Sequence, residues 1–529
     1  VTSPDDGLHT LGRWTTDRAI ATPARVAIDD RGVILSYAEL DRRASALAER
    51  LLDAGYGVGD RIATLTGNSS DHVVLFFACA KAGLVLVPLS WRLSPREIAM
   101  QLEGADPSLL VVEAEFEALG HAALERLLLP MPITEFGIRG IERTVAAPHR
   151  SRVELALHRE VRDDDPLLIM FTSGTIDRPK GAILTHANCF WTNLSLSRTA
   201  EITSRDVVLA FMPQYHVGGW NVQPLLAWWT GATVVLERTF DAGRVLSLIP
   251  ARKVTIMMGV PTNYLMLAEH PDFATTDLST LAHAIVGGAP MPEPLLRTWH
   301  ARGVALTQGY GLTEASPNVL CLPDEDARAK VGLAGKPYPH LQVELVDPVT
   351  GARVEGPGAG ELVVRGPGVF PGYFRDPEGD AVALRGGWLH TGDLVRRDAE
   401  GYYQIIDRIK DIYISGGESV APAEVEAVLF EHPAVADAAV IGVPDERWGE
   451  VGIAHVVLRT GIASDEEQLH EFCATRLARY KLPRRILVIE SIPRSSGNKV
   501  LRRVLLARWT AQSLEPALAQ DETAARAAT

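Results

Sequence analysis

Thr172-Ser-Gly-Thr-Ile-Asp-Arg-Pro-Lys-Gly181 brings three hydroxyls (Thr172, Ser173, Thr175), two glycines and a lysine together, directly after the apolar run Leu167-Leu-Ile-Met-Phe171. A strand ending in such a loop offers backbone N–H groups, hydroxyl donors and a cation to phosphate oxygens. It is not a Walker loop: the G-x-x-x-x-G-K-[ST] spacing is missing and Pro179 precedes Lys180. Taken alone, the stretch reads equally as a Ser/Gly-rich surface turn.

Four more motifs follow in order: Tyr310-Gly-Leu-Thr-Glu314, Trp388-Leu-His-Thr-Gly-Asp393, Asp407-Arg-Ile-Lys-Asp411 and Pro493-Arg-Ser-Ser-Gly-Asn-Lys499. With the first loop they resemble the adenylate-forming superfamily of acyl-CoA synthetases, peptide-synthetase adenylation domains and luciferases, and within it the stand-alone acyl-CoA ligases. The resemblance runs from about Leu35 to about Leu506. It implies a reaction that joins a carboxylate to AMP, releases pyrophosphate, and passes the acyl group to a thiol. The transition state concentrates negative charge on phosphorus oxygens, so positioning and charge neutralisation carry the catalysis. ATP, Mg²⁺ and, as co-substrate, CoA are the implied small molecules.

The same resemblance distributes the roles. Thr172, Ser173, Gly174, Thr175 and Lys180 contact the β- and γ-phosphates. Tyr310 offers an aromatic face to adenine between Gly309 and Gly311, Thr313 a hydroxyl to a phosphate, and Glu314, with Thr175, oxygen ligands to Mg²⁺, which prefers hard donors. Gly287-Gly288-Ala289-Pro290 lets the backbone approach the nucleotide and acyl group, or is a plain turn. Asp393 accepts from the ribose hydroxyls and Arg408 adds a contact to ribose or phosphate. Lys499 bridges the carboxylate and the α-phosphate. Lys410 is the hinge about which a small domain swings, and Gly416 and Gly417 line the tunnel for the CoA thiol. His216, in Met212-Pro-Gln-Tyr-His-Val-Gly-Gly219, gates the pocket for the acid, which Gly219, Trp220, Gly287, Gly288 and Gly311 line. Trp220, Trp228 and Trp229 read equally as core packing. Amino-acid-activating relatives place an aspartate in this segment; none stands between Met212 and Trp220, so the expected acid is non-amino and apolar.

Two departures from the family pattern stand out. Ile176-Asp177 replaces the usual Thr-Gly, removing a hydroxyl and adding a carboxylate near the triphosphate. Two unit charges about 5 Å apart at an effective dielectric near 20 repel by roughly 3 kcal/mol. In Gly497-Asn498-Lys499 the glycine that usually precedes the lysine is shifted one place. These departures keep an amide-forming ligase in view beside CoA ligation; a carrier-protein loader and a non-catalytic nucleotide sensor are further alternatives, the retained Lys499, Thr313 and Glu314 weighing against the sensor.

A chain of 529 residues exceeds what one core supports, so a large domain over 1–409 and a smaller mobile one over 410–529 are expected. Net charge of −14 without an offsetting basic stripe argues against nucleic acid as a partner. Cys79, Cys189, Cys321 and Cys473 form no C-x-x-C pair, which fits a reducing, cytoplasmic setting. The N-terminal residues lack the pattern of a signal peptide. Val73 to Leu89, broken by Lys81 and Pro88, reads as two buried segments and not a membrane span. Sequence leaves a homodimer open.

The elements that must hold these residues follow from periodicity. Ser36-Tyr-Ala-Glu39 has capping-box spacing, and Leu40, Ala44, Leu47 and Leu51 recur at helical intervals, predicting a helix from Tyr37 to Ala54. Strand-like runs at Arg61 to Leu65, Leu84 to Pro88, Val207 to Met212, Thr233 to Glu237 and Val254 to Met258 alternate with helix-like ones, giving an α/β class with layered sheets. Gly335 to Tyr403 reads as a small β unit closing the large domain. Beyond Asp407 a helix from Glu418 to Phe430 and strands at Val435 to Val443 and Ala454 to Leu458 make an α+β module. The Ala-rich tail from Glu515 is expected to fray.

Overall fold

The computed structural model describes residues 7–137, 140, 141, 160–172, 179–495 and 499–511. Ser173 to Arg178, Ser496 to Asn498 and the tail from Glu515 lie outside them. The helix Tyr37–Asp53 starts where Ser36 accepts the Glu39 N–H, and it buries Leu40, Ala44, Leu47 and Leu51. Only this half of the capping box forms with Ser36 as acceptor. The Glu39 carboxylate turns instead to Arg42 at 2.8 Å and Arg43 at 2.6 Å, and the bond from Arg42 leads in holding its pKa down to about 2.

The run from Val73 to Leu89 folds as the helix Ser70–Ala82 and the strand Val85–Leu89, joined at Gly83, whose φ of +71 ends the helix. Both are buried on nearly every side, as an apolar stretch without periodicity requires. Among the described residues no helix is long and apolar enough to cross a membrane.

Contacts divide the chain into two units: Val1–Val346 with Leu362–Thr391 and Asp398–Tyr403, and Asp347–Glu361 with Gly392–Arg397 and Gln404–Thr529. Three short segments ahead of residue 410 (Asp347–Glu361, Gly392–Arg397 and 404–409) cluster with the second unit. The chain passes from one unit to the other within the strands Gly358–Arg365, Trp388–Arg397 and Tyr403–Arg408.

The first unit holds two mainly parallel sheets. In the nine-stranded one, six parallel strands run in the order Leu306–Gly311, His283–Val286, Ile256–Gly259, Val207–Ala210, Thr233–Leu236 and Val26–Asp30, with antiparallel strands at both edges. Parallel strands need covering on both faces, which explains their near-continuous Val, Ile, Leu and Met content. A core of Tyr264, Phe273 and Trp299 with aliphatic neighbours packs beside this sheet. In the seven-stranded sheet, Pro166–Thr172 lies beside Val85–Leu89 and then pairs antiparallel with the edge strand Lys180–Thr185.

The second unit is a five-stranded sheet with the helices Pro422–Phe430 and Glu466–Ala474. Tyr413 fills its centre, over two glycines that leave room for it. A Cβ on Gly442 would sit 2.4 Å from the Tyr413 Cβ, and one on Gly452 2.3 Å from its hydroxyl. The expected helix from Glu418 starts only at Pro422: Glu418–Val420 is a strand paired with Tyr413–Ser415. Gly416 and Gly417 turn the chain back at φ +61 and +88, and Pro422 then opens the helix.

Candidate active site

Within the first unit Thr172 and Lys180 flank the stretch that the sequence expects to meet phosphate. Thr172 and Lys180 face each other in register, so the described hairpin opens into the loop at these two residues. The Lys180 ammonium lies 3.2 Å from Asp376 Oδ2 and 4.9 Å from the ring centre of Tyr373. Asp376 is itself fixed, because its Oδ1 accepts the Gly379 N–H at 2.9 Å and caps the helix Pro377–Ala383. That bond first, and Lys180 after it, hold the Asp376 carboxyl below its usual pKa. Gly379 leaves room for this pair: a Cβ there would lie 2.2 Å from Asp376 Oδ2 and 2.6 Å from Lys180 Nζ, and both side-chain ends would have to shift.

Glu314 belongs to the short turn Thr313–Ala315 that follows the strand Leu306–Gly311, so Tyr310, Thr313 and Glu314 sit together at one strand end. All three are half-buried. The Tyr373 hydroxyl donates to Glu314 Oε1 at 2.8 Å. Phe370 N–H donates to the Glu314 carbonyl at 2.9 Å, Phe374 N–H to the Gly181 carbonyl at 2.7 Å, and Tyr373 N–H to Asp380 at 2.6 Å. The segment from Phe370 to Asp380 thus ties the lysine hairpin to the glutamate turn. Burial first, and Glu314 second, raise the Tyr373 phenol well above its ordinary pKa. The Thr313 hydroxyl and the Glu314 carboxylate are hard oxygen donors, a set that fits magnesium.

The pocket residues divide. His216 is half-buried, 4.7 Å ring to ring from Tyr215, in a loop pinned by Gln214. Gln214 N–H donates to Asn68, and its carboxamide oxygen lies 3.0 Å from His72 Nδ1. His72 is pushed down to about 4 by burial, so it is a neutral link, with Thr64 at 3.1 Å on its other nitrogen. Trp220 takes the core reading. It is fully buried, stacked on Phe76 at 4.6 Å, and its indole N–H donates to the Gln214 carbonyl at 2.6 Å. Trp228 is core as well, and Trp229 stacks on Trp14.

Gly219 and Gly311 are explained by packing. A Cβ would fall 2.3 Å from the Pro213 carbonyl oxygen at the first and 1.7 Å from that of Pro317 at the second. Gly287, Gly288 and Gly309 sit at the ends of adjacent strands, with Ala289 and Pro290 exposed after them. Met258 completes this corner: a Cβ on Gly218 would be 3.8 Å from its methyl carbon, and one on Gly287 3.6 Å.

In the second unit Asp393 and Arg408 form one ion pair, Nε to Oδ1 at 2.7 Å, with Asp393 buried. The charge of the Asp393 carboxylate is thus balanced by Arg408. Lys410 is exposed in the turn Ile409–Asp411. The residues on either side are held. Asp407 accepts the Ala423 N–H at 2.7 Å, and Arg502 reaches Asp411 at 3.4 Å, Glu426 at 2.7 Å and the Val440 carbonyl at 3.0 Å. Gly416 donates its N–H to the Trp448 carbonyl at 2.8 Å, and a Cβ on it would meet the Trp448 ring at 2.9 Å. Lys499 is exposed, and its carbonyl accepts the Ser495 N–H at 2.8 Å.

Sequence reasoning missed Tyr373, Asp376, Met258, Asn68, His72 and Arg502. Only Asp376 carried a local signal, the Asp-Pro start of a helix. Ser173, Gly174, Thr175 and Asp177 lie outside the described residues.

Known proteins match this arrangement along almost the whole chain. Residues 16–374 match the AMP-binding enzyme family and residues 424–499 the AMP-binding enzyme C-terminal domain. Feruloyl-CoA synthase of Amycolatopsis is 40% identical over 93% of this chain and 97% of its own length. Long-chain-fatty-acid–CoA ligase of Mycobacterium tuberculosis is 35% identical over 95% and 99%. The solved structure of O-succinylbenzoate coenzyme A synthetase from Bacillus subtilis with ATP and magnesium superposes with a TM-score of 0.82 at 31% identity, over 93% of this chain and 98% of that one. The chain belongs to the AMP-binding enzyme family and is an AMP-forming acyl-CoA synthetase, a ligase that joins a non-amino carboxylic acid to CoA using ATP and Mg²⁺.

Proposed function

We propose that the acid is aryl-substituted, with its ring entering beside Met258 and its carboxylate directed toward His216. The observation that carries this reading is the corner where the Met258 thioether faces Gly218 and Gly287. Two glycines present flat backbone to a planar group, and a thioether against an aromatic ring is worth about 0.3–1.5 kcal/mol. The higher identity to a feruloyl-CoA synthase than to a long-chain-fatty-acid–CoA ligase supports the same choice. Lys180, Thr172, Tyr310, Thr313 and Glu314 hold the nucleotide and its metal; Asp393 and Arg408 meet the ribose, and Lys499 the carboxylate and α-phosphate. Lys410 serves as the hinge between the two half-reactions, and Gly416 and Gly417 admit the CoA thiol. Cys79, Cys189, Cys321 and Cys473 are all free thiols, which supports a cytoplasmic setting.

The test is pyrophosphate release and thioester formation with CoA over hydroxycinnamic, indoleacetic and succinylbenzoic acids and straight-chain acids of increasing length. Aryl acids are expected to give kcat/KM at least tenfold above the best aliphatic acid. Equal or better turnover of a straight-chain acid overturns the aryl reading while leaving the ligase in place.

A further inference from the structure

Tyr373 lies in no motif assigned above, yet its side chain touches both charged groups of the nucleotide site in the first unit. The Lys180 ammonium stands 4.9 Å from its ring centre, and its hydroxyl donates to Glu314 at 2.8 Å. The backbone beneath it is pinned on two sides. Tyr373 bridges to Ala182 in antiparallel fashion, next to the lysine strand, and its N–H donates to Asp380. Phe370 packs edge-on against the ring at 4.8 Å and at the same time donates its N–H to the Glu314 carbonyl. A tyrosine that merely filled space would not need a carboxylate at its hydroxyl and an ammonium beside its ring. The two contacts also reinforce each other: donation to a carboxylate makes the phenol more electron-rich, and an electron-rich ring attracts a cation more strongly.

We propose that Tyr373 is a positioning residue that couples the two halves of the nucleotide site, setting Lys180 for the phosphates and Glu314 for the magnesium so that each favours the other's ligand. The proposal rests on the assignment of Lys180 to phosphate and Glu314 to the metal. Its consequence is that magnesium tightens ATP binding through Tyr373, and that the phenol hydroxyl, not the ring, transmits this gain.

Calorimetric titration of ATP without any acid, in EDTA and again in Mg²⁺, reads this directly and needs no turnover. Tyr373→Phe keeps the ring beside Lys180 and removes only the hydroxyl at Glu314. Its metal-free ATP affinity should stay within about twofold of the parent, while the gain on adding Mg²⁺ falls at least fivefold. Tyr373→Leu should weaken ATP binding in both conditions. Thermal melting of each variant checks the fold, and if the leucine variant melts early the phenylalanine variant decides alone. A full magnesium gain in Tyr373→Phe overturns the proposal and leaves Glu314 as the metal ligand. No magnesium gain in the parent chain overturns the Glu314 assignment and the proposal with it.

Discussion

The two lysines of the proposed chemistry are built in opposite ways. Lys180 sits on a strand, paired in register with Thr172, set against Asp376 and beside the Tyr373 ring, with its side chain about a third exposed. Lys499 stands exposed, with its backbone carbonyl and N–H both bonded to Ser495. The frameworks differ in the same sense. The first unit holds its site through strand pairing and half-exposed ion pairs. The second ties the segment around Lys410 through a cluster of partly buried charges: Arg502 at 22% side-chain exposure, with Asp411 at 20% and Glu426 at 14%. On the roles proposed above, a cation that serves every bound nucleotide gains from a fixed setting, and one that arrives for a single step and then leaves gains from an exposed side chain.

Replacing Lys499 tests this contrast most severely. Lys499→Ala should lower pyrophosphate release by about 10²–10³-fold, as expected when a donor aimed at developing charge is removed. Thioester formation from supplied acyl-adenylate and CoA should change only a few-fold, with melting unaltered. Equal loss in both half-reactions would show that Lys499 does not leave.

Arg502→Met addresses the buried charges. Removing one partner leaves Glu426 and Asp411 uncompensated and should cost about 3 kcal/mol, seen in urea unfolding of the second unit. Burial already raises the pKa of Glu426 and of Asp407, with Arg502 as the main opposing charge. An unshifted midpoint would mean that the segment around Lys410 is held by the strands instead.

Asp177→Gly probes the loop between Thr172 and Lys180. Relief of up to roughly 3 kcal/mol of repulsion should speed pyrophosphate release several-fold. An unchanged or slower rate removes the idea that Asp177 opposes the triphosphate.

The smallest effect belongs to His283 and Asp324, a half-exposed pair in the first unit. The bond to Asp324 raises the His283 pKa in the folded state. A raised histidine contributes stability that is fully present below its unfolded pKa, about 6.5, and is lost as pH rises through the folded value. His283→Gln should therefore flatten the fall in melting temperature above pH 6.5, by under about 1 kcal/mol in stability terms. A drop as large as that of Arg502→Met would erase the distinction between the two frameworks.

Much of the architecture is legible in the chain because it is local. Ser36 and the spacing of Leu40, Ala44, Leu47 and Leu51 dictate their helix, and Gly416-Gly417 dictates a two-residue turn. Glu418–Val420 reads as helix from its residues alone, which tolerate either state; strand pairing across the glycine turn decides it. Trp220 was ambiguous for a similar reason, since an aromatic beside glycines suits a pocket or a core until Phe76 is seen stacked on it.

The sequence by itself determined which chemical groups are available and in what order: hydroxyls and a lysine after one strand, a tyrosine, threonine and glutamate after another, and a late lysine beyond a glycine. Those are short-range patterns, and their chemistry is carried within a few residues. Tertiary structure decided which of them meet. Tyr373 reaches Glu314 across 59 residues, Arg502 reaches Asp411 across 91, and Met258 stands over glycines from two other elements. Such contacts depend on the order in which strands and helices stack. A single chain read residue by residue does not carry that order, because many packings satisfy the same local preferences and only one closes all the cores at once.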